Sequence, residues 1–280
     1  MALNLRIAYP HVMHFPVKPF LKVQRMAQSP QPTQKTLAAS FTVSTSCTFD
    51  GSRKLPVLLF DIMDTIVRDP FYHDVPPFFG MSFKELIECK HPTAWIEFEK
   101  GMIDEMELSK KFFKDGRPLD LEGLKNCMKR GYSYLNGVEE LLHALKQNGY
   151  EMHALTNYPI WYKMIEDKLN VSTYMSWTFC SCNIVCHLSE VDRTVNVLPS
   201  LSMRENPCFN GKRKPDHEFF MEVLGNLKIE PGSCIFIDDR LENVQAAIEI
   251  GIVGLHFKDA ELLREDLSGL GIYISTSGSQ

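Results

Sequence analysis

Aspartate, threonine, asparagine and lysine residues follow predicted strands at four widely separated places in the sequence. They are Asp61, Thr156, Asn157, Lys214, Asp238 and Asp239. Carboxylates supply the oxygen ligands that Mg²⁺ prefers in proteins. A lysine ammonium and a threonine hydroxyl can bind the oxygens of a phosphoryl group, and a carboxylate can attack phosphorus as a nucleophile. Together these residue types predict metal-assisted phosphoryl chemistry at one site.

Each of these residues also has an ordinary structural explanation, which the sequence leaves open. Aspartate, threonine and asparagine commonly cap helices, so Asp61 and the other polar strand ends fit that role as well. Lys214 also fits a solvated basic run or a weak nuclear signal. The joint occurrence of these groups, in order and after predicted strands, is what favours a shared site.

The elements that would position these residues alternate between strands and helices. Val57 to Phe60 form a continuous apolar run, which is typical of a strand buried on both faces of a parallel sheet. Further strands are predicted over 150–155, 177–182, 233–237, 252–257 and 272–275. The fold class is therefore α/β, a doubly wound (Rossmann-like) parallel sheet, in which ligands bind at the carboxyl edge of the strands.

Two interruptions divide the predicted core, which comprises 51–69 and 132–280. Residues 70–131 change to a helical pattern, in which Phe83, Leu86 and Ile87 share one face, and predict a small inserted helical domain. Residues 183–210 contain two prolines and no sustained period, and they are far longer than a usual connection in such a fold. We expect an irregular insertion there, either a substrate lid or, the favoured interpretation, a dispensable segment.

The amino-terminal segment differs in composition from the rest. Its first 49 residues contain five basic residues, no acidic residue and many hydroxyl side chains, which predicts a plastid transit peptide over 1–50 or else an ordinary disordered tail. Without those five charges the formal net charge of −5 becomes about −10, which argues against a nucleic acid partner. No apolar run is long enough for a membrane span.

The eight cysteines are expected to be free thiols. A zinc site is not favoured, because the spacing of Cys180, Cys182, Cys186 and Cys208 matches none of the usual zinc ligand patterns.

Four short motifs carry a family resemblance. FDIMDT, LTNYP, GKRKPD and FIDDRLENV resemble motifs I to IV of the haloacid dehalogenase superfamily of phosphohydrolases, and 70–131 resembles its C1-type cap. The resemblance implies that Asp61 is the nucleophile and a Mg²⁺ ligand, and that Thr156, Lys214 and the adjacent Asn157 serve the phosphoryl group. It further implies metal contacts from Asp239 directly, from Asp238 in support, and from the backbone carbonyl of Met63.

Met63 is a departure from the family pattern, which has an aspartate as general acid and base at this position. Methionine can neither donate nor accept that proton, and such help typically contributes 10²–10⁴-fold to a rate. We hypothesise that Asp64, or a water held by Asp238, partly substitutes.

The cap is where the resemblance places substrate specificity. The chain as a whole, especially LLFDIMDTIVRDPFYHDVPPFFGMS, WIEFEKG, TNYPIWY and WTFCSC, is similar to plastid members of the family that act on flavin mononucleotide. An apolar wall against the flavin ring is therefore expected from Phe71, Tyr72, Phe78, Phe79 and Trp95. The same rings also fit the cap's own core. The resemblance implies a Mg²⁺-dependent phosphomonoesterase of the plastid that converts flavin mononucleotide to riboflavin and phosphate. The alternatives are hydrolysis of another small phosphomonoester, such as a phosphosugar or nucleotide, and a catalytically silent binding protein, which Met63 and the 183–210 insertion favour.

Overall fold

Five parallel strands form one sheet in the computed structural model, which describes residues 53–54, 56–181, 212–272 and 274. The strands are β1 (Val57–Phe60), β2 (Met152–Thr156), β3 (Ser176–Cys180), β4 (Cys234–Asp238) and β5 (Val253–His256). Their order across the sheet is β3-β2-β1-β4-β5, and each neighbouring pair is parallel. β1 is therefore the central strand, with β2 on one side and β4 on the other.

The central strand is buried on both faces, as its unbroken apolar run predicts. Leu58 and Phe60 pack into the hydrophobic cluster on one face, and Val57 and Leu59 pack into the cluster on the other. All four side chains are at most 1% exposed. Successive side chains of a strand point to opposite faces, so only a sheet covered on both sides can bury all four. The predicted doubly wound α/β fold is confirmed.

Five helices accompany the strands from residue 138 onward. They are α7 (Val138–Gln147), α8 (Tyr162–Leu169), α9 (His217–Leu227), α10 (Leu241–Glu249) and α11 (Ala260–Gly269), with 3₁₀ turns at Val171–Thr173 and Pro231–Ser233. α7 buries Val138, Leu141, Leu142 and Leu145, which lie on one face at helical spacing. Gly149, just beyond that helix, has a φ of +73°, a conformation that glycine adopts without steric cost.

Six short helices lie between β1 and α7. They are α1 (Pro70–His73), α2 (Val75–Phe78), α3 (Phe83–Cys89), α4 (Ala94–Glu99), α5 (Glu105–Lys111) and α6 (Leu121–Gly131). α3 and α5 begin at capping boxes, formed by Ser82 with Glu85 and by Asp104 with Glu107. The apolar face predicted for α3 is only partly buried: Leu86 is inaccessible, whereas Phe83 and Ile87 are exposed.

Not every predicted element is present. A sixth strand was expected over 272–275, but Ile272 and Ile274 lie outside any strand, and residues 273 and 275 are not among those described. Ile272 instead packs into the hydrophobic cluster directly after α11. The predicted transit peptide (1–50) and insertion (183–210) also lie outside the described residues. Within the described ranges, no helix is both long and apolar enough to cross a membrane.

Candidate active site

Three carboxylates meet at the carboxyl edge of the two central strands. β1 and β4 are parallel neighbours with Phe60 beside Ile237, and the backbone N–H of Asp61 donates to the Ile237 carbonyl at 2.9 Å. This register brings Asp61, which follows β1, next to Asp238, the last residue of β4. One carboxylate oxygen from each of Asp61, Asp238 and Asp239 lies within 4.8 Å of the others. The strand pairing thus gathers acids that are 177 residues apart in the sequence.

Lys214 lies between two of these acids. Its ammonium group donates to Oδ1 of Asp61 at 2.6 Å and to Oδ2 of Asp238 at 2.7 Å, and the side chain is 1% exposed. Burial opposes the charged form of Lys214, but the charges of Asp238 and Asp61 outweigh it and raise the pKa of the ammonium. Lys214 is therefore a buried cation at the centre of the site.

Asn157 fixes the backbone of Lys214 in place. Its Oδ1 accepts from the Lys214 N–H at 3.0 Å, and its Nδ2 donates to the Lys214 carbonyl at 2.9 Å. The predicted phosphoryl-site residue Asn157 thus acts in this structure as a positioning residue for Lys214, at the edge of the same cavity.

Thr156 ends β2 with an unsatisfied hydroxyl group. The residue is 1% exposed, and its Oγ1 has no hydrogen-bond partner among the described residues. Buried hydroxyls are nearly always paired, since an unpaired one loses its hydration without compensation. Thr156 lines the same cavity as Asp61 and Lys214. A phosphoryl oxygen placed there would accept the missing hydrogen bond.

The two acids of β4 have different surroundings. Both oxygens of Asp238 are occupied, because Nδ2 of Asn243 donates to them at 3.1 and 3.0 Å, and the Arg240 N–H and Lys214 complete the set. Asp239 is only partly buried and lines the cavity. This contrast suits the predicted division of roles, in which Asp239 contacts a metal directly and Asp238 supports it.

The carboxylates are crowded enough to favour a divalent cation. Burial raises the pKa of Asp61 to about 6, with Lys214 acting in the opposite direction. Burial, together with the charges of Asp61 and Asp238, raises the pKa of Asp239 to about 7. In both carboxylates burial is the main cause of the raised pKa, and a bound cation would favour the charged forms; hard oxygen ligands are what Mg²⁺ binds. The residues present therefore fit Mg²⁺.

The cavity beside the carboxylates has a volume of about 350 Å³ and is lined in part by aromatic rings. Phe71, Tyr72 and Trp95 line it, with the rings of Phe71 and Trp95 stacked at 6.4 Å between centroids. Phe78, another predicted substrate contact, does not line this cavity, and neither does Phe79. The Phe79 ring packs against Phe112 and Phe113, 5.8 and 5.3 Å away, because it faces the interior of the helical segment.

A family model for haloacid dehalogenase-like hydrolases matches residues 57–251, which include every strand of the sheet except β5. The chain belongs to this hydrolase family. Two similar sequences are named as a hydrolase and a phosphatase. A chloroplast flavin mononucleotide hydrolase of Arabidopsis thaliana is 59% identical over 223 residues, 80% of each chain. The sesquiterpene phosphatase AstK of Aspergillus oryzae is 50% identical over 53 residues, 19% of this chain and 27% of its own.

Solved structures of other haloacid dehalogenase-like proteins share the fold. An enzyme from Bacteroides thetaiotaomicron, in complex with magnesium and inorganic phosphate, has a TM-score of 0.53 at 19% identity and covers 73% of this chain and 95% of its own. A hydrolase from Porphyromonas gingivalis has a TM-score of 0.55 at 16% identity, with coverage of 77% and 97%. At these identities the likeness concerns the fold alone.

Met63 and Asp64 both line the cavity of this family member. Asp64 has a φ of +57°, and its Oδ1 accepts from the Asp69 N–H at 2.9 Å, so the side chain closes a tight turn after β1. Asp69 in turn caps α1 by accepting from the Phe71 N–H, and burial raises the pKa of Asp69 to about 6.

Sequence reasoning missed several residues that line or support the cavity. They are Asp69, Lys90, Glu99, Arg213, Arg240 and Asn243. The motifs GKRKPD and FIDDRLENV contain Arg213, Arg240 and Asn243, so the sequence offered a signal for these three residues. Lys90 and Glu99 reach the cavity only through the packing of the helical segment, for which no local pattern gives a signal.

Proposed function

We propose that this hydrolase is a magnesium-dependent phosphomonoesterase that converts flavin mononucleotide to riboflavin and phosphate. The observation that carries the chemistry is Lys214 held between Asp61 and Asp238, beside a buried and unpaired Thr156 hydroxyl. The choice of substrate rests on the similarity to the Arabidopsis enzyme and on the aromatic side of the cavity.

Asp61, Asp239 and the backbone carbonyl of Met63 would hold the metal ion, and Asp238 would orient its surroundings. When bound there, Mg²⁺ offsets the repulsion between an anionic nucleophile and an anionic phosphate ester. The assignment of direct metal contact to Asp239 and of a supporting role to Asp238 follows the family resemblance and the different hydrogen bonding of these two residues.

The reaction would proceed in two displacements at phosphorus. A carboxylate oxygen of Asp61 attacks, the ester P–O bond breaks, and the alkoxide takes up a proton to become the alcohol product. Water then attacks the aspartyl-phosphate, its P–O bond to Asp61 breaks, and inorganic phosphate leaves. Lys214 and the Thr156 hydroxyl bind the non-bridging phosphoryl oxygens and stabilise the charge that develops on them. Asp64 would supply part of the proton transfer that Met63 cannot perform.

Specificity would come from the helical segment over 70–131, acting as a cap on the core formed by 51–69 and 132–280. Phe71, Tyr72 and Trp95 present apolar and aromatic surface on which a flavin ring can pack. Phe79 is no longer part of this set, because its contacts are internal to the cap.

The chloroplast, and within it the stroma, is the proposed location. The Arabidopsis relative is named as a chloroplast protein, and the composition of residues 1–50 is that of a transit peptide. Import of the full chain into isolated chloroplasts, with removal of the amino-terminal segment and recovery in the stromal fraction, is the expected result. Recovery of uncleaved protein outside the organelle would contradict it.

Phosphate release from a panel of substrates tests the proposed function. With Mg²⁺ the parent enzyme should have its highest kcat/KM on flavin mononucleotide among the flavin, sugar and nucleotide monophosphates, and Asp61→Asn should lose at least about 10³-fold in kcat. A higher kcat/KM on another phosphomonoester would identify that ester, and not flavin mononucleotide, as the preferred substrate. Activity only after deletion of 183–210 would show that the insertion disables the site.

A further inference from the structure

Glu99 and Arg213 form an incompletely bonded pair in the cavity wall. Glu99 ends α4 and is 4% exposed, and its Oε1 lies 3.1 Å from Nε of Arg213. The two groups attract each other by charge, but their geometry is not that of a hydrogen bond. Among the described residues, neither Oε1 of Glu99 nor Nε of Arg213 has a hydrogen-bond partner. A buried acceptor and a buried donor thus lie side by side, both unsatisfied.

This pair lines the cavity that is also lined by the aromatic rings and by the residues of the phosphoryl site. Glu99 lies four residues after Trp95 on α4, so the two side chains share one face of that helix, and both line the cavity. Arg213 directly precedes Lys214, whose ammonium contacts Asp61. Glu99 is therefore connected to Trp95 along α4, and Arg213 is connected to the phosphoryl site through the adjoining residue, Lys214.

The chemistry of the pair selects a particular kind of group. A hydroxyl both donates and accepts, so one hydroxyl, or two on adjacent carbons, can satisfy the Glu99 oxygen and the Arg213 N–H together. A phosphate would be repelled by Glu99, and an apolar chain would leave both groups unpaired, which is costly in a buried site. We propose that Glu99 and Arg213 form a hydroxyl-binding subsite that selects phosphate esters of polyhydroxy alcohols.

This subsite deepens the proposed function and rests on it, because flavin mononucleotide carries a polyhydroxylated chain between its phosphate and its ring. A purely structural ion pair, which only fastens α4 to the connection before α9, would affect all substrates alike. A subsite would affect only substrates with hydroxyls near the phosphate. The two roles can be separated by comparing esters that share the phosphate and differ in the alcohol.

The test measures kcat and KM of Glu99→Leu and Glu99→Gln on three substrates: flavin mononucleotide, ribitol 5-phosphate and 4-nitrophenyl phosphate. Glu97→Leu is the matched control, because Glu97 lies on the same helix but bonds to Thr93 and Lys111 instead of lining the cavity. We expect Glu99→Leu to lower kcat/KM about 10–100-fold on the first two substrates, mainly through KM, and less than about 2-fold on 4-nitrophenyl phosphate. The kcat/KM of Glu99→Gln on the first two substrates should lie between the values of Glu99→Leu and the parent. Glu97→Leu should have the kcat/KM of the parent on all three substrates.

Equal losses on all three substrates, or no loss on any, would overturn the subsite. The substrate 4-nitrophenyl phosphate also reports whether each variant retains a folded active site. Failure of the proposed function would give a different result, because the parent would then be inactive on flavin mononucleotide. The comparison of ribitol 5-phosphate with 4-nitrophenyl phosphate would still show whether Glu99 contributes to binding of substrate hydroxyls.

Discussion

The ammonium nitrogen of Lys214 lies 2.6 Å from Oδ1 of Asp61, although 153 residues separate them in the sequence. The same nitrogen also donates to Asp238, so one buried cation compensates two buried anions. The proposed nucleophile is thus held by the group that would bind the phosphoryl oxygens, and loss of Lys214 should affect both catalysis and folding.

Lys214→Met should lower kcat by about 10²–10³-fold, because the charge that develops on the phosphoryl group loses a preorganised cation. It should also lower the free energy of unfolding by about 3 kcal/mol, since removal of one partner leaves buried carboxylates unpaired. Initial rates and urea unfolding measure the two effects. Lys212→Met is the control, because the ion pairs of Lys212 within the described residues are with Glu218 and Glu222 near the surface. Wild-type kcat in Lys214→Met would refute the assigned role.

Removal of divalent cations should abolish phosphate release, and addition of Mg²⁺ should restore it. Mg²⁺ at 100 times its dissociation constant should also stabilise the fold by about 2.7 kcal/mol through mass action, which thermal unfolding would show as a higher Tm. Asp239→Asn should weaken this response because it removes one of the three clustered carboxylates. Glu230→Gln, a surface change, should retain it. A Tm that ignores Mg²⁺ in the parent would contradict the metal site.

Asp64→Asn tests the residue proposed to compensate for Met63. Asparagine tolerates the positive φ at this position and can still accept from the Asp69 N–H, so the turn should survive. We expect kcat on flavin mononucleotide to fall about 10-fold, within the range of general acid-base catalysis. The loss should be smaller on 4-nitrophenyl phosphate, whose leaving group departs without a proton. Unchanged kinetics on both substrates would remove Asp64 from the mechanism.

The carboxylate of Glu151 makes the fold sensitive to acid. The Arg53 guanidinium donates to Oε2 of Glu151 at 2.5 Å, and this hydrogen bond lowers the pKa of Glu151 to about 2. A lowered pKa in the folded state stabilises the protein above the ordinary glutamate value of 4.5, and the contribution is lost as the pH falls toward 2. Because Glu151 is 34% exposed, we expect only about 1 kcal/mol.

Glu151→Gln should therefore reduce the free energy of unfolding by that amount at pH 7, and the difference from the parent should shrink between pH 4.5 and 2. Urea unfolding across this pH range is the measurement. Glu265→Gln, an exposed change on α11, should have the same free energy of unfolding as the parent at every pH. A constant difference at every pH would mean that the ion pair is not the cause.

The sheet and the carboxylate site could be predicted from sequence because both follow from local patterns. The apolar run of β1 identifies a buried strand, and parallel strands bring their carboxyl ends to one edge, so Asp61 and Asp238 had to approach each other. The side chains of the helical segment could not be assigned in this way. Phe79 and Trp95 are both aromatic residues in short helices, and only tertiary packing decides that one faces the interior and the other the cavity.

Both backbone polar groups of Lys214 are tied to the side-chain amide of Asn157, which lies directly after β2. We therefore expect the position of the Lys214 backbone to depend on this amide and not on the number of residues between β3 and Lys212. A shorter or longer connection should leave the backbone of Lys214 bound to the same amide.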